Sequence, residues 1–216
     1  MSKPYKIKEI FRSLQGEGFH SGRKAVFVRF TFCNGWTGRE EDRGKGPLAC
    51  SAWCDTDFVG TNGANGGRYE AVSLVSKCAE VLGDSGHRFV VLTGGEPTLQ
   101  VDSWLIDVFH RWEFEVAIET NGTRPISGEV DWITVSPKPG LALFQTKGDE
   151  LKLVHPQPDV DPEQFSDLAF RHFYLQPKWT GDEAERSANL KATVQYCMEH
   201  PRWRLGLQMH KAVGLP

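Results

Sequence analysis

The stretch Arg88-Phe-Val-Val-Leu-Thr-Gly-Gly-Glu-Pro97 decides the fold. Its apolar run is rich in aromatic and β-branched residues and breaks abruptly at a polar turn, the signature of a buried strand. A helical period over 101–112 follows, then a second apolar run at 114–119 ending in Thr120-Asn-Gly122. The same alternation continues in both directions. Residues 132–135 lead into Ser136-Pro-Lys138, and 151–155 and 172–176 read as further strands, the latter ending at Gln176-Pro177. Upstream, 5–11 and 25–32 read as strands, and Val72, Val75, Cys78, Ala79 and Leu82 recur at helical spacing over 69–82. A helix over 183–200, with Leu190, Val194 and Cys197 on one face, and a strand over 203–208 close the chain. Strand–helix–strand repeats imply crossovers to a parallel sheet. The polar turns fall just after the strands, on the rim where parallel barrels build active sites. About six central strands are too few for a closed eight-stranded barrel, so the expected fold is α/β, an open, partial parallel β/α barrel.

At 216 residues this is the length of a single domain, 1–216, and neither a repeat nor a linker divides it. A formal charge of −3 and a pI near 6.2 give no general electrostatic reason to bind nucleic acid or an anionic membrane. The opening Met1-Ser-Lys-Pro-Tyr-Lys-Ile-Lys lacks an apolar signal core, and no run approaches the roughly 18 apolar residues of a membrane span. The expected compartment is the cytoplasm, where the five cysteines stay reduced.

Residues 33–67 form a long Gly-, Asn-, Asp- and Arg-rich segment without a period, and a loop of that length is usually functional or disordered. It holds Cys33, Cys50 and Cys54, separated by sixteen and three residues. Three thiolates can grip three irons of an iron–sulfur cube and leave the fourth open to a small molecule. Free thiols, or part of a zinc site, are the alternatives. Zinc favours four ligands in short pairs, and no second pair or close His pair is present. Cys78 and Cys197 lie on apolar helix faces and read as core residues. In the Thr93–Pro97 turn, Gly94 and Gly95 let backbone approach a ligand closely, and Glu96 can accept from an ammonium group. An ordinary strand–turn–helix junction is the plainer reading of the same residues.

Taken in order, Leu14-Gln-Gly-Glu-Gly18, Gly38-Arg-Glu-Glu-Asp-Arg43, Cys33…Cys50…Cys54 within Trp53-Cys-Asp-Thr-Asp-Phe58, Thr93-Gly-Gly-Glu-Pro97, Glu119-Thr-Asn-Gly122, Ser136-Pro-Lys138, Gln208-Met-His-Lys211 and Pro216 span nearly the whole chain. This series resembles the 7-carboxy-7-deazaguanine synthases of the radical S-adenosylmethionine superfamily. The resemblance implies a carbon–nitrogen lyase in queuosine and 7-deazapurine biosynthesis, which converts 6-carboxy-5,6,7,8-tetrahydropterin to 7-carboxy-7-deazaguanine and releases ammonia. It implies a homodimer, a [4Fe–4S] cluster on Cys33, Cys50 and Cys54, S-adenosylmethionine on the open iron, Mg²⁺, and an external reductant such as flavodoxin or ferredoxin. Cluster cleavage of the cofactor would free the radical that takes a hydrogen from the pterin.

The same resemblance assigns residues. Gly94, Gly95 and Glu96 would hold the cofactor's ammonium, and Ser136 and Lys138 its carboxylate. Gln176, Thr120 and Asn121 would lie near the adenosyl group, with Trp53 packed on cluster or adenine. Each could instead be a turn or core residue. Gln15, Glu17, Gly18, Arg29, Thr93 and His210 would meet the pterin, with Arg29 as a bidentate fork for its carboxylate or in a structural ion pair. Pro216 would bring its carboxylate to the guanidine-like edge. Thr56 would contact Mg²⁺, with Asp55 and Asp57 as chemical alternatives. Two features depart from the family pattern: sixteen and three residues separate the cysteines where fourteen and two are typical, and Phe32 stands where glycine is frequent. A radical enzyme on another substrate, such as a glycyl-radical activase, and a non-catalytic metal-binding protein are the competing functions.

Overall fold

The computed structural model describes residues 4–45, 50–84, 86–157 and 160–216. Met1–Lys3 of the opening segment and residues 46–49 of the cysteine loop lie outside that set. Nine strands form one sheet in the order β3-β1-β2-β4-β5-β6-β7-β8-β9. The strands β2 (Lys24–Phe30), β4 (Arg88–Gly94), β5 (Phe114–Thr120), β6 (Trp132–Val135), β7 (Lys147–His155) and β8 (Ala169–Pro177) run parallel, as does the short β9 (Trp203–Leu205) beyond them. These are the six expected central strands. On the other edge β1 (Tyr5–Leu14) pairs antiparallel with β2, and β3 (Gly67–Tyr69) pairs antiparallel with β1. The two edges do not meet, so the barrel is open.

Side-chain alternation separates an outer core from an inner one. Val26, Val28, Val90, Leu92, Val116 and Ile118 point outward under α2 (Ala71–Leu82) and α3 (Ser103–Arg111). Leu151, Leu153, Phe173, Leu175 and Trp203 do the same beside α4 (Glu183–Glu199). Ala25, Phe27, Phe89, Val91 and Ala117 turn inward and form an apolar floor with Phe11 and Trp132. Because successive strand residues alternate faces, each outward Val or Leu fixes an inward neighbour on the site side. Asp102 caps α3 by accepting from Leu105 N at 3.0 Å and also accepts from the Tyr5 hydroxyl at 2.7 Å, so one carboxylate fastens a helix start to β1.

Several sequence expectations are corrected. On α4, Leu190 is exposed and the buried positions are Asn189 and Thr193. Asn189 donates to Lys178 O at 3.0 Å, and Thr193 donates to Asn189 O at 2.7 Å and His155 O at 3.3 Å, so polar contacts seat this face. On α2, Val72 is likewise exposed, and Leu74 takes its place in the core. The last strand stops at Leu205, and a short helix, α5 (Met209–Val213), follows it. The cysteine segment, read as irregular, contains among its described residues a 3-10 turn at Glu40–Asp42 and a helical turn, α1 (Cys50–Trp53), and runs into β3.

Candidate active site

The C-terminal ends of the parallel strands surround a cavity of about 480 Å³. Its cysteine wall is built locally. Cys33 follows β2, Cys50 opens α1, and Cys54 comes one residue after α1, its N–H bonded to Cys50 O at 2.9 Å. Residues four apart share one side of a helix, so the three-residue gap sends both sulfurs the same way. A Cβ added to Gly35 would lie 3.4 Å from Cys33 Sγ and 3.6 Å from Cys50 Sγ, ordinary contact distances, so this backbone lies beside both sulfurs. Gly35 N also donates to Cys33 Sγ at 3.3 Å. Burial raises the Cys33 and Cys50 thiols, and the charges of the neighbouring cysteines add to it. Phe32, in the glycine position, adopts a left-handed φ of 71°. The strand exit thus keeps a glycine-like backbone, and the aromatic side chain bears a strain of about 1–2 kcal/mol.

The Gly-Gly turn also has a packing reason. A Cβ on Gly94 would sit 2.4 Å from Phe30 O, and one on Gly95 would sit 2.0 Å from Phe32 O. These glycines let β4 close against the exit of β2, and their backbone still borders the cavity. Glu96 is fully buried and is not among the cavity-lining residues. Its Oε1 accepts from Thr98 N at 3.0 Å, Thr98 Oγ1 at 2.6 Å and Thr120 Oγ1 at 2.7 Å, and its Oε2 accepts from Asn121 N at 2.7 Å. Here Glu96 is a clamp between the β4 and β5 turns.

Thr120 and Asn121 face the cavity while serving these turns. Asn121 also donates to Asn34 Oδ1 at 2.9 Å and accepts from Thr123, tying the β5 end to the cysteine segment. Ser136, Lys138, Gln176 and Trp53 border the same space. Lys138 donates to Ser136 Oγ at 2.6 Å and lies 5.6 Å from the Trp53 ring centroid, and its pKa is lowered by burial first of all.

Gln15, Glu17, Arg29, Thr93, His210 and Pro216 line the same cavity. Arg29 Nε donates to Glu9 Oε1 at 2.7 Å, so a structural ion pair does form, and both partners face the cavity. Gly18 does not line the cavity. With φ at 64°, its missing Cβ would strike the Glu150 carboxylate at 2.1 Å. Gly16 makes room for His210, whose Nδ1 lies 2.0 Å from the position of an added Cβ. Burial lowers the His210 pKa, with the Glu17 charge opposing that shift. Pro216 O accepts from Ser13 Oγ at 3.1 Å, which secures the C-terminal segment over β1.

Thr56 also lines the cavity, between two acidic residues already engaged. Asp57 pairs with Lys8 at 2.7 Å and accepts from Val59 N at 3.1 Å, while Asp55 pairs with Lys211 of α5. Sequence reading missed Glu119 and Lys152. Lys152 is buried and ion-pairs with Glu17. Glu119 accepts from Gln15 Nε2 at 2.9 Å and from Thr93 Oγ1 at 3.2 Å. The signal was there: in 150–154, Leu151 and Leu153 alternate with Glu150, Lys152 and Val154, so a charged face had to point into the barrel.

Fold and site together define a radical S-adenosylmethionine enzyme, an open parallel barrel with a cysteine triad at its rim. No family model matches the chain. Curated 7-carboxy-7-deazaguanine synthases from Bordetella pertussis and Caulobacter vibrioides are 51% and 50% identical to it over 214 residues, covering 98% of this chain and 99% of each relative. The crystal structure of QueE from Escherichia coli aligns with a TM-score of 0.72 at 26% identity, over 96% of this chain and 95% of that one. The chain belongs to the 7-carboxy-7-deazaguanine synthase family, radical lyases that use S-adenosylmethionine and a [4Fe–4S] cluster.

The donor set fits that cluster. Two of the sulfurs lie beside Gly35, the third cysteine follows Cys50 by one helical turn, and all three line one cavity. Among the described residues, no three His, Cys, Asp or Glu side chains converge as they would on a single ion.

Proposed function

We propose that this chain converts 6-carboxy-5,6,7,8-tetrahydropterin to 7-carboxy-7-deazaguanine with release of ammonia, in the route to queuosine or another 7-deazapurine. The observation that carries this reading is one cavity lined both by the three cysteines and by the Gln15, Glu17, Arg29 and Glu119 group. A pterin presents N–H and carbonyl edges and a carboxylate. Carboxylates, an amide and a guanidinium are the groups that read such a ring. The limited volume, bordered by Gln208, His210 and Pro216, suits a small ring better than a glycyl loop of a partner protein.

Cys33, Cys50 and Cys54 would hold the cluster, which with S-adenosylmethionine supplies the hydrogen-abstracting radical. Ser136 and Lys138 would take the cofactor's carboxylate, and the Gly94 and Gly95 backbone its ammonium, with Glu96 bracing that turn from behind. Thr120, Asn121, Gln176 and Trp53 would border its adenosyl part. Thr56 is the proposed contact for Mg²⁺, which prefers oxygen ligands and keeps substrate oxygens in its shell. Its acidic neighbours are each held by a lysine, which favours Thr56 over them. Arg29, His210, Thr93 and Pro216 would complete the pterin contacts. The working protein would be a cytoplasmic homodimer served by a flavodoxin- or ferredoxin-type reductant; none of the described helices is long and apolar enough to cross a membrane.

The test is anaerobic reconstitution with iron and sulfide counting, then mass spectrometry of the product formed from the pterin with S-adenosylmethionine, reductant and Mg²⁺. Formation of 7-carboxy-7-deazaguanine and ammonia is expected. Cofactor cleavage with no pterin product would end this assignment of substrate.

A further inference from the structure

Lys152 stands at the centre of the substrate wall without belonging to any motif. It lies mid-strand on β7, 6% exposed, and lines the cavity. Its ammonium pairs with Glu17 and lies 3.9 Å from Glu119 Oε1. Glu150, two residues earlier on the same inward face, is a third carboxylate within its field. The remaining charged groups facing Lys152 are Lys138, beyond the end of β6, and His210 of α5. One cation therefore serves three carboxylates in a buried space.

The carboxylates are also held from their other sides. Glu17 accepts from Gln208 Nε2 at 2.8 Å, and Glu119 accepts from Gln15 and Thr93. A carboxylate offers about four acceptor sites, so both keep capacity toward the cavity. Buried like charges cannot all stay ionised without a cation among them. Burial would raise Glu17, yet Lys152, Gln208 and His210 together hold it down at about 2. Glu150, which accepts from Phe19 N at 2.8 Å, is raised by burial despite the lysine.

We propose that Lys152 is a positioning residue for the substrate: it fixes Glu17 and Glu119 as paired, cavity-facing acceptors for the N–H-rich edge of the ring. This rests on the pterin reading above. It assigns to the lysine a role in substrate affinity distinct from cluster assembly, because the charges it is paired with are the carboxylates of Glu17, Glu119 and Glu150 rather than cysteine thiols.

The experiment compares wild type, Lys152→Met and Lys152→Arg, each cluster-loaded with S-adenosylmethionine. The dissociation constant of the carboxylated tetrahydropterin is measured by anaerobic equilibrium dialysis without reductant, from pH 6 to 8.5. Iron content and reductive cofactor cleavage without pterin serve as controls. In wild type Glu17 stays ionised and affinity is flat across this range. Without the lysine, burial raises the Glu17 carboxyl, so it is protonated at pH 6 and ionises again as the pH rises. Lys152→Met is therefore expected to bind at least tenfold more weakly at pH 6 and to recover partly by pH 8.5, with controls unchanged. Lys152→Arg keeps the charge and should keep the flat profile. Wild-type affinity and profile in Lys152→Met overturn the proposal, as does loss of iron content in parallel with affinity. If Lys152→Met does not fold, Lys152→Met with Glu150→Gln removes one charge of each sign, and wild-type binding there overturns it equally. A wild type that binds no pterin refutes the substrate reading instead.

Discussion

Replacing Glu96 by glutamine separates two roles for the Gly-Gly-Glu turn. The carboxylate accepts four hydrogen bonds, three on Oε1 and one on Oε2 from Asn121 N at 2.7 Å. With the amide oxygen kept on the Thr98–Thr120 side, the new NH₂ group faces the Asn121 N–H, donor against donor. A hydrogen bond to a charged group contributes about 1.5–3 kcal/mol, and an orphaned buried donor costs about 1–3 kcal/mol. The two overlap at one site, so the expected loss is about 3 kcal/mol. For a chain of this size, each kcal/mol shifts Tm by about 2–4 °C, giving a drop of about 6–12 °C. Thermal unfolding of Glu96→Gln, cluster-loaded but without S-adenosylmethionine, reads this through tryptophan fluorescence. A Tm within about 2 °C of wild type, with weakened cofactor binding alone, would refute the clamp and return Glu96 to the ammonium.

Cys50→Ala should lose iron, sulfide and cofactor cleavage, whereas Cys78→Ala, in the outer core under α2, should retain all three on iron and sulfide counting. Gly95→Ala drives a methyl group into Phe32 O and should cost more than about 3 kcal/mol in urea unfolding; Gly22→Ala, which meets nothing within 4 Å but has φ at 87°, should cost only about 1 kcal/mol. Stability should fall on acidification. Glu17, held at about 2 against an ordinary 4.5, stabilises fully above pH 4.5, by about 3 kcal/mol, and loses this as pH drops toward 2. His20, His155, His172 and His210 are lowered by burial, so the native state resists their protonation, and the decline begins below pH 6.5. A urea midpoint unchanged from pH 7.5 to 5 would contradict the histidine assignment, and one unchanged from pH 4.5 to 2.5 would contradict that of Glu17.

The six parallel strands were legible because each couples an apolar run to a polar stop, and a stop after a buried strand lands on the rim. The turns holding Gly94 and Gly95, Thr120 and Asn121, Ser136 and Lys138, and Gln176 were legible for that reason, whereas Gln15, Glu17, Arg29, Thr56, His210 and Pro216 came from the resemblance to the family. Glu96 and Gly18 were legible as motif members but not as to direction: one is consumed by donors of its own turn and of the distant β5 turn, and the other by the bulk of Glu150, far off in sequence. α1 spans four residues, too few to display a period, and Leu190 looked like core because α4 is seated by side-chain bonds to carbonyls rather than by an apolar stripe. Lys152 was hidden by the habit of placing lysines in water; the parity of its strand placed it inside.

The turn that joins Cys50 to Cys54 has a consequence for how this loop tolerates change in length. An α-helix advances about 100° per residue, so positions three and four ahead fall roughly 60° short of and 40° past a common direction. A gap of two or of three therefore aims both thiols into one quadrant, while a gap of one or of four swings the second away. What natural variation must preserve here is bearing rather than count.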